Sequence, residues 1–250
     1  MINLKGKHIL ITGASSGIGR ETAILSAKLG AQITAVARRE SHLAELIQEL
    51  NTQNNENHQY IACDLSNEAE ILEAINKMGD FDCIVHSAGM VYPHPAKYIR
   101  KKHLDKVMAV NFYAPAILNA ALLGKQKINA NGSIVFLSSI STKHPFTGGA
   151  LYVSSKAALE SYSRTLALEL AHKKIRCNVV SPALVKTAIF EQTIETYTEE
   201  QVNEYERAYP FGFGEAIDVA NTILFLLSNE SRWITGQEII MDGGLTLMNK

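Results

Sequence analysis

Nothing in the sequence ties the chain to an oxidising compartment, a membrane or a polyanion. Only three cysteines occur in 250 residues: Cys63, Cys83 and Cys177, widely spaced and each in or beside an apolar run. An odd, scattered set does not write a disulfide framework, so buried, reduced thiols are expected, as suits a cytoplasmic protein. No apolar run reaches the roughly 18 residues that a membrane span needs, and the opening MINLKGKHILITG has no signal-peptide core. Acidic and basic side chains nearly cancel, 25 against 24, for a formal charge of -1. That balance provides no broad basic field of the kind nucleic-acid binders present. No internal repeat and no linker divides the chain. The expectations are a cytoplasmic protein with a small-molecule partner, no membrane or nucleic-acid partner and no metal.

What the chain does have is enough apolar material for a large core, with 46% hydrophobic and 20% charged residues. Short runs rich in Val and Ile read as strands at 8–12, 32–37, 60–63, 83–87, 133–137, 176–180 and 238–241. Most lack polar alternation, which predicts strands buried on both faces of a parallel sheet. Helical patterns fall between them near 18–29, 41–51, 67–78, 99–123, 152–172 and 215–228, with Ser41 and Asn67 as start signals. The polar stretch 51–58 is short enough for a loop. Strand and helix in alternation predict an α/β, Rossmann-like, doubly wound parallel sheet of about seven strands flanked by helices on both faces, with 1–250 as one dinucleotide-binding catalytic domain.

TGASSGIG (12–19) follows the first strand and opens the first helix. Gly13, Gly17 and Gly19, with Ser15, Ser16 and Ile18 between them, give a G-x-x-x-G-x-G spacing that lets backbone approach a pyrophosphate at a helix N-terminus. After the second strand, where an acid selects NAD through the ribose 2′-OH, the chain has Arg38 and Arg39, which suits a 2′-phosphate. NADP(H) is therefore favoured over NAD(H). Tyr152 and Lys156, four apart in LYVSSK, lie on one face of a helix, so phenol and ammonium share the same space.

Taken together with Asp64-Leu65, Ala88-Gly89, Asn111 and Ser139, these motifs make the sequence resemble a short-chain dehydrogenase/reductase of the common single-domain kind, over nearly the whole chain to GQEIIMDGG (236–244). The resemblance implies a carbonyl reductase. Tyr152 would be the general acid, with Lys156 lowering the phenol's pKa and binding the nicotinamide ribose. Ser139 would donate to the substrate oxygen, although Ser138 has the same chemistry one place away. Asn111 would hold a relay water, Asp64 would accept from the adenine amine, and Pro182 and Thr187 would border the nicotinamide or a phosphate. Two positions depart from the family's pattern: His86-Ser87 stands where two asparagines are usual, and Ala183 replaces a glycine, which matters if φ there is positive. His86 reads as a hydrogen-bonded core residue.

From 188 to 213 the chain carries Phe190, Tyr197, Tyr205, Tyr209, Phe211 and Phe213. This segment reads as a lid over an apolar or aromatic carbonyl compound, unless the rings pack on the chain's own core or a second subunit. The basic stretch 98–106 reads as a solvated helix face, with an anionic carrier the other possibility. The expected activity is NADPH-dependent reduction of a ketone or 3-oxoacyl thioester. The alternatives are an NAD-dependent alcohol or sugar dehydrogenase of the same fold and a non-catalytic NADPH sensor. A homo-oligomer, tetramer or dimer, is expected, with the small residues Ala157, Ala158 and Ser161 letting a neighbour's helix approach and Gly243-Gly244 turning the tail toward it.

Overall fold

The alternation written in the sequence becomes an alternation of strand and helix in space. The structure, a computed structural model, describes residues 2–54, 56–194 and 198–248. β1 (His8–Thr12), α1 (Gly17–Lys28), β2 (Gln32–Ala37), α2 (Glu40–Leu50), β3 (Gln59–Ala62), α3 (Glu68–Asn76) and β4 (Phe81–His86) come first. α4 (Lys101–Met108) continues through a π-helical turn (Ala109–Tyr113) into α5 (Ala114–Gly124), followed by β5 (Ile128–Leu137), α6 (Ala150–Glu169) and β6 (Arg176–Pro182). The remainder comprises β7 (Val185–Lys186), α7 (Ala188–Ile194), α8 (Glu199–Arg207), β8 (Gly214–Glu215), α9 (Ala216–Leu227), β9 (Glu238–Met241) and α10 (Leu245–Met248).

Seven strands form one sheet in the order β3-β2-β1-β4-β5-β6-β9, every neighbouring pair parallel. The expected Rossmann-like fold class is the one observed. β1 lies between β2 and β4, with Thr12 in register with both Val36 and His86. Chain order reverses there, and the crevice beyond the strand ends at such a switch is where this class of sheet binds ligands. One core, holding Ala23, Ala27, Leu43, Leu46, Ile223 and Leu227, packs α1, α2 and α9 on one face. The other, holding Ile71, Ile75, Leu118, Leu122, Leu159 and Leu166, packs α3, α5 and α6 on the opposite face. Central strands between two helical layers meet no water on either side, which is why their sequences are continuous apolar runs.

Local differences from the sequence reading have physical causes. Asn67 caps α3 as expected, its Oδ1 accepting from Ala69 N at 3.1 Å. α2 starts earlier than Ser41, with Arg39 at the N-cap, and Ser41 sits inside the helix. The predicted helix 99–123 begins at Lys101 and is interrupted by one π turn around Asn111. Lys101–Gly124 is long and apolar enough to cross a membrane by length and composition alone. It instead buries Val107, Asn111, Leu118 and Leu122, with α4 packed on α6 and α5 on α3.

Candidate active site

The glycine turn is fixed by steric necessity. Gly13 has φ +70°, and a Cβ there would lie 2.7 Å from Ala88 N, so the turns after β1 and β4 touch backbone to backbone. A Cβ on Gly19 would lie 2.6 Å from the carbonyl oxygen of Gly13. Only glycine closes this loop tightly enough to present the first turn of α1, whose amides have no intrahelical acceptors. Thr187 approaches from the far side, its Cγ2 3.2 Å from where a Gly17 Cβ would stand. Its Oγ1 donates to Val185 O at 3.2 Å, at the entrance to α7. The cradle fits a dinucleotide pyrophosphate: glycine backbone and helix N-terminus meet at one spot, with Thr187 packed against Gly17 through its methyl group.

At the end of β2 both arginines are exposed, and they do different things. Arg39 Nη2 donates to Ser15 Oγ at 3.0 Å, tying α2's start to the glycine turn. Arg38 faces Asp64 electrostatically. Burial pushes the Asp64 carboxyl up, but hydrogen bonds from the Ser66 N–H and hydroxyl, with the Arg38 charge, outweigh it and hold the group below the usual carboxylate range. Leu65 beside it is buried. Pro182, buried at the end of β6, and Ala183 line the cavity that also holds Ile18 and Tyr152. Ala183 is not among the residues with positive φ, and its N–H donates to Met241 O at 2.8 Å, so alanine in place of glycine costs nothing here.

α6 carries the reactive pair. Lys156 is buried, and its Nζ donates to Leu137 O at 2.7 Å, 5.8 Å from the centre of the Tyr152 ring. Burial lowers its pKa to about 8, against an opposing pull from Glu160. The phenol moves contrary to the sequence expectation: burial raises the Tyr152 pKa, while its hydrogen bond with the Ser139 side chain acts to lower it. In this structure desolvation outweighs any help from the lysine, whose proton is directed at a carbonyl.

Both adjacent serines border the cavity but bond differently: Ser138 donates to Glu160 Oε1 at 2.8 Å, whereas Ser139 meets the Tyr152 hydroxyl and donates to Ser141 Oγ at 3.0 Å. Asn111, fully buried in the π turn, accepts from Met90 N at 2.8 Å and donates to Met90 O at 3.0 Å and Ser155 Oγ at 2.9 Å. It thereby locks the turn after Gly89 against α6. A Cβ on Gly89 would intrude 3.2 Å from Lys156 Nζ and 3.6 Å from Asn111 Oδ1. His86 is a core residue, stacked on Phe136 at 4.9 Å and bonded through Nε2 to Asn119 Oδ1 at 3.0 Å, with burial lowering its pKa to about 4.

Tyr152, Ser139 and Lys156 line one cavity of about 710 Å³. Its walls are mostly apolar, with Met90, Val91, Ile140, Phe146, Leu184 and Phe190 among them. The segment read as a lid forms α7 and α8, and Phe190, Tyr209 and Phe213 make a small core of their own with rings 5.0–5.2 Å apart. Tyr205 lines the cavity and Phe211 is almost wholly exposed, while Tyr197 lies outside the described residues. The Gly243-Gly244 turn packs on the chain's own Pro210 and Phe211. Glu160 and Lys143, which the sequence reading passed over, also border the site. The signal available for Glu160 was its spacing, one further helical turn below Lys156 on the same face.

A switch-point crevice with a glycine-lined helix N-terminus, opening onto a half-buried tyrosine, a buried lysine and a serine, defines a dinucleotide-dependent oxidoreductase. Comparison with known proteins makes this specific. A family model described as enoyl-(acyl carrier protein) reductase matches residues 13–246. A 3-oxoacyl-[acyl-carrier-protein] reductase of Rickettsia felis is 34% identical over 99% of this chain and 100% of its own. A glucose 1-dehydrogenase of Gluconobacter oxydans is 34% identical over 97% of this chain and 92% of its own, and an L-xylulose reductase of Caenorhabditis elegans is 33% identical over 96% of each. A solved short-chain dehydrogenase/reductase from Mycobacterium ulcerans superposes with a TM-score of 0.87 at 28% identity, over 98% of this chain and 91% of that one. The chain belongs to the short-chain dehydrogenase/reductase family. It is accordingly an oxidoreductase acting on CH–OH or C=O groups with a nicotinamide cofactor.

Proposed function

We propose that the protein is an NADPH-dependent reductase of apolar carbonyl compounds, ketones or 3-oxoacyl thioesters, with the whole chain as one catalytic domain and residues 188–213 as its lid. The observation that carries this reading is the convergence of Tyr152, Ser139 and Lys156 on a largely apolar cavity. The bound cofactor supplies the hydride to the carbonyl carbon. Tyr152 gives the proton to the carbonyl oxygen, and Ser139 donates a hydrogen bond to the same oxygen as charge develops on it. Lys156 holds positive charge beside the phenol and reaches the cofactor's ribose, while Asn111 fixes the turn between them and holds a relay water. Gly13, Ser15, Ser16, Gly17, Ile18 and Gly19 cradle the pyrophosphate, with Thr187 opposite; Asp64, Leu65, Ala88 and Gly89 border the adenosine and ribose side, and Pro182 the nicotinamide. Arg38 and Arg39 favour a 2′-phosphate, since guanidinium groups pair with phosphate oxygens through charge-assisted bonds.

The relatives named for glucose and xylulose chemistry support a second reading, a sugar dehydrogenase or reductase using either cofactor. The apolar walls argue against it, because a polyol would leave several hydroxyls without partners. The reading includes cytoplasmic location and a homo-oligomeric state. Incubation with NADPH and a panel spanning 3-oxoacyl thioesters, aryl ketones and ketoses tests the function. Faster NADPH oxidation with the apolar carbonyls is expected; turnover of ketoses alone would overturn the substrate class, and no turnover with any carbonyl would favour a sensor.

A further inference from the structure

Ser139 sits on a loop that leaves β5 and returns along the cavity wall, and that loop is held at both ends by one side chain. At its start Ser138 Oγ donates to Glu160 Oε1 at 2.8 Å, and at its far end Lys143 Nζ donates to Glu160 Oε2 at 3.1 Å. Between the two contacts lie Ser139 and the short 3-10 turn Ile140–Thr142, of which Ser139, Ile140 and Ser141 line the cavity. Ser138 Oγ also reaches the carbonyl oxygen of Lys156 at 3.5 Å, and Lys143 pairs additionally with Glu238 on β9. Glu160 is 5% exposed. A buried carboxylate is costly unless both oxygens are partnered, and here the two partners are the two ends of one catalytic loop.

We propose that Glu160 is a positioning residue: its carboxylate clasps the Ser138–Lys143 loop onto α6 and so sets Ser139 against Tyr152. Tyr152, Lys156 and Glu160 follow one another at successive turns of α6, which makes the helix a common ruler for acid, cation and clasp. The charge on Glu160 also opposes the effect of burial on Lys156. An ion pair serving stability alone would have no need to span the loop bearing the substrate's hydrogen-bond donor. The inference rests on the reading of Ser139 as that donor.

The test is a kinetic cycle of the wild-type protein, Glu160→Gln, Ser139→Ala and the double variant, with NADPH affinity measured alongside. Glu160→Gln removes the carboxylate that ties Lys143 to α6, leaving its pairing with Glu238, and kcat is expected to fall about 10- to 100-fold with NADPH affinity near that of the wild type. In the Ser139→Ala background the same substitution should change kcat little, because the group it positions is gone. Wild-type kcat in Glu160→Gln, or losses that simply multiply in the double variant, would overturn the proposal while leaving the role of Ser139 standing. Full turnover in Ser139→Ala would overturn both. Should Glu160→Gln not fold, Lys143→Met releases the loop's outer end from both Glu160 and Glu238 and must show the same dependence on Ser139, while Glu238→Gln, which leaves the contact with Glu160, must not.

Discussion

Lys156 Nζ donates its 2.7 Å hydrogen bond to the carbonyl oxygen of Leu137, the last residue of β5, rather than to the phenol of Tyr152 one helical turn away. The cation is thus anchored to the sheet, 5.8 Å from the centre of the Tyr152 ring. In a buried setting such a charge is worth far more than in water, provided the lysine keeps its proton.

Burial lowers the Lys156 pKa to about 8, whereas the phenol's is raised. As pH rises through about 8, the lysine loses its charge while the tyrosine still holds its proton, so reductive kcat/KM, which reports the free enzyme, should decline on that alkaline limb. A profile flat to about pH 10, the ordinary phenol value, would show that the lysine's charge is not needed.

The arginines should divide their labour. Arg38→Asp should reverse a preference for NADPH over NADH that a charge-assisted contact sets at roughly 10- to 150-fold. Arg39→Ala, which cuts the link to Ser15, should weaken both cofactors, because it loosens the turn they share. Equal wild-type affinity for the two cofactors, measured by fluorescence titration, would remove the basis for both expectations.

Gly13→Ala should be costly in two ways at once. A methyl group would stand 2.7 Å from Ala88 N on a backbone with φ +70°. Overpacking of this kind costs about 1–3 kcal/mol. A lower midpoint in urea together with weakened NADPH binding is expected; unchanged binding would mean that the turn has room to spare.

Exposed Leu168 on α6 and Ile240 on the edge strand β9, with Trp233 at 93% exposure, leave apolar surface that a partner copy would cover. Light scattering should give a multiple of the 27.5 kDa chain at micromolar concentration. A mass of one chain would exclude the homo-oligomer.

The sheet was legible because buried parallel strands leave unbroken Val- and Ile-rich runs, and the glycine turn because few other sequences satisfy its geometry. Interruptions were not. The π turn at Asn111 sits inside a hydrophobic pattern that reads through it, and the short pair β7–β8 is too brief to show a period. The convergence of Ser138 and Lys143 on Glu160 spans 22 and 17 residues of sequence, beyond the reach of any local pattern. Arg39 was visible as a charge near a phosphate site, yet its hold on Ser15 depends on the angle at which α2 leaves β2. The direction of the Tyr152 shift was missed for a similar reason: spacing reveals a neighbouring cation, but not how deeply both groups are buried.

Tyr152→Phe isolates the role of Tyr152 as proton donor by removing one hydroxyl while leaving the glycine turn and the arginines untouched. NADPH affinity and turnover of a good carbonyl substrate, measured on the same preparation, should come apart: affinity near that of the wild type, and kcat lower by about 10²–10⁴. Wild-type turnover in this variant would contradict the account, since the proton would then come from another group.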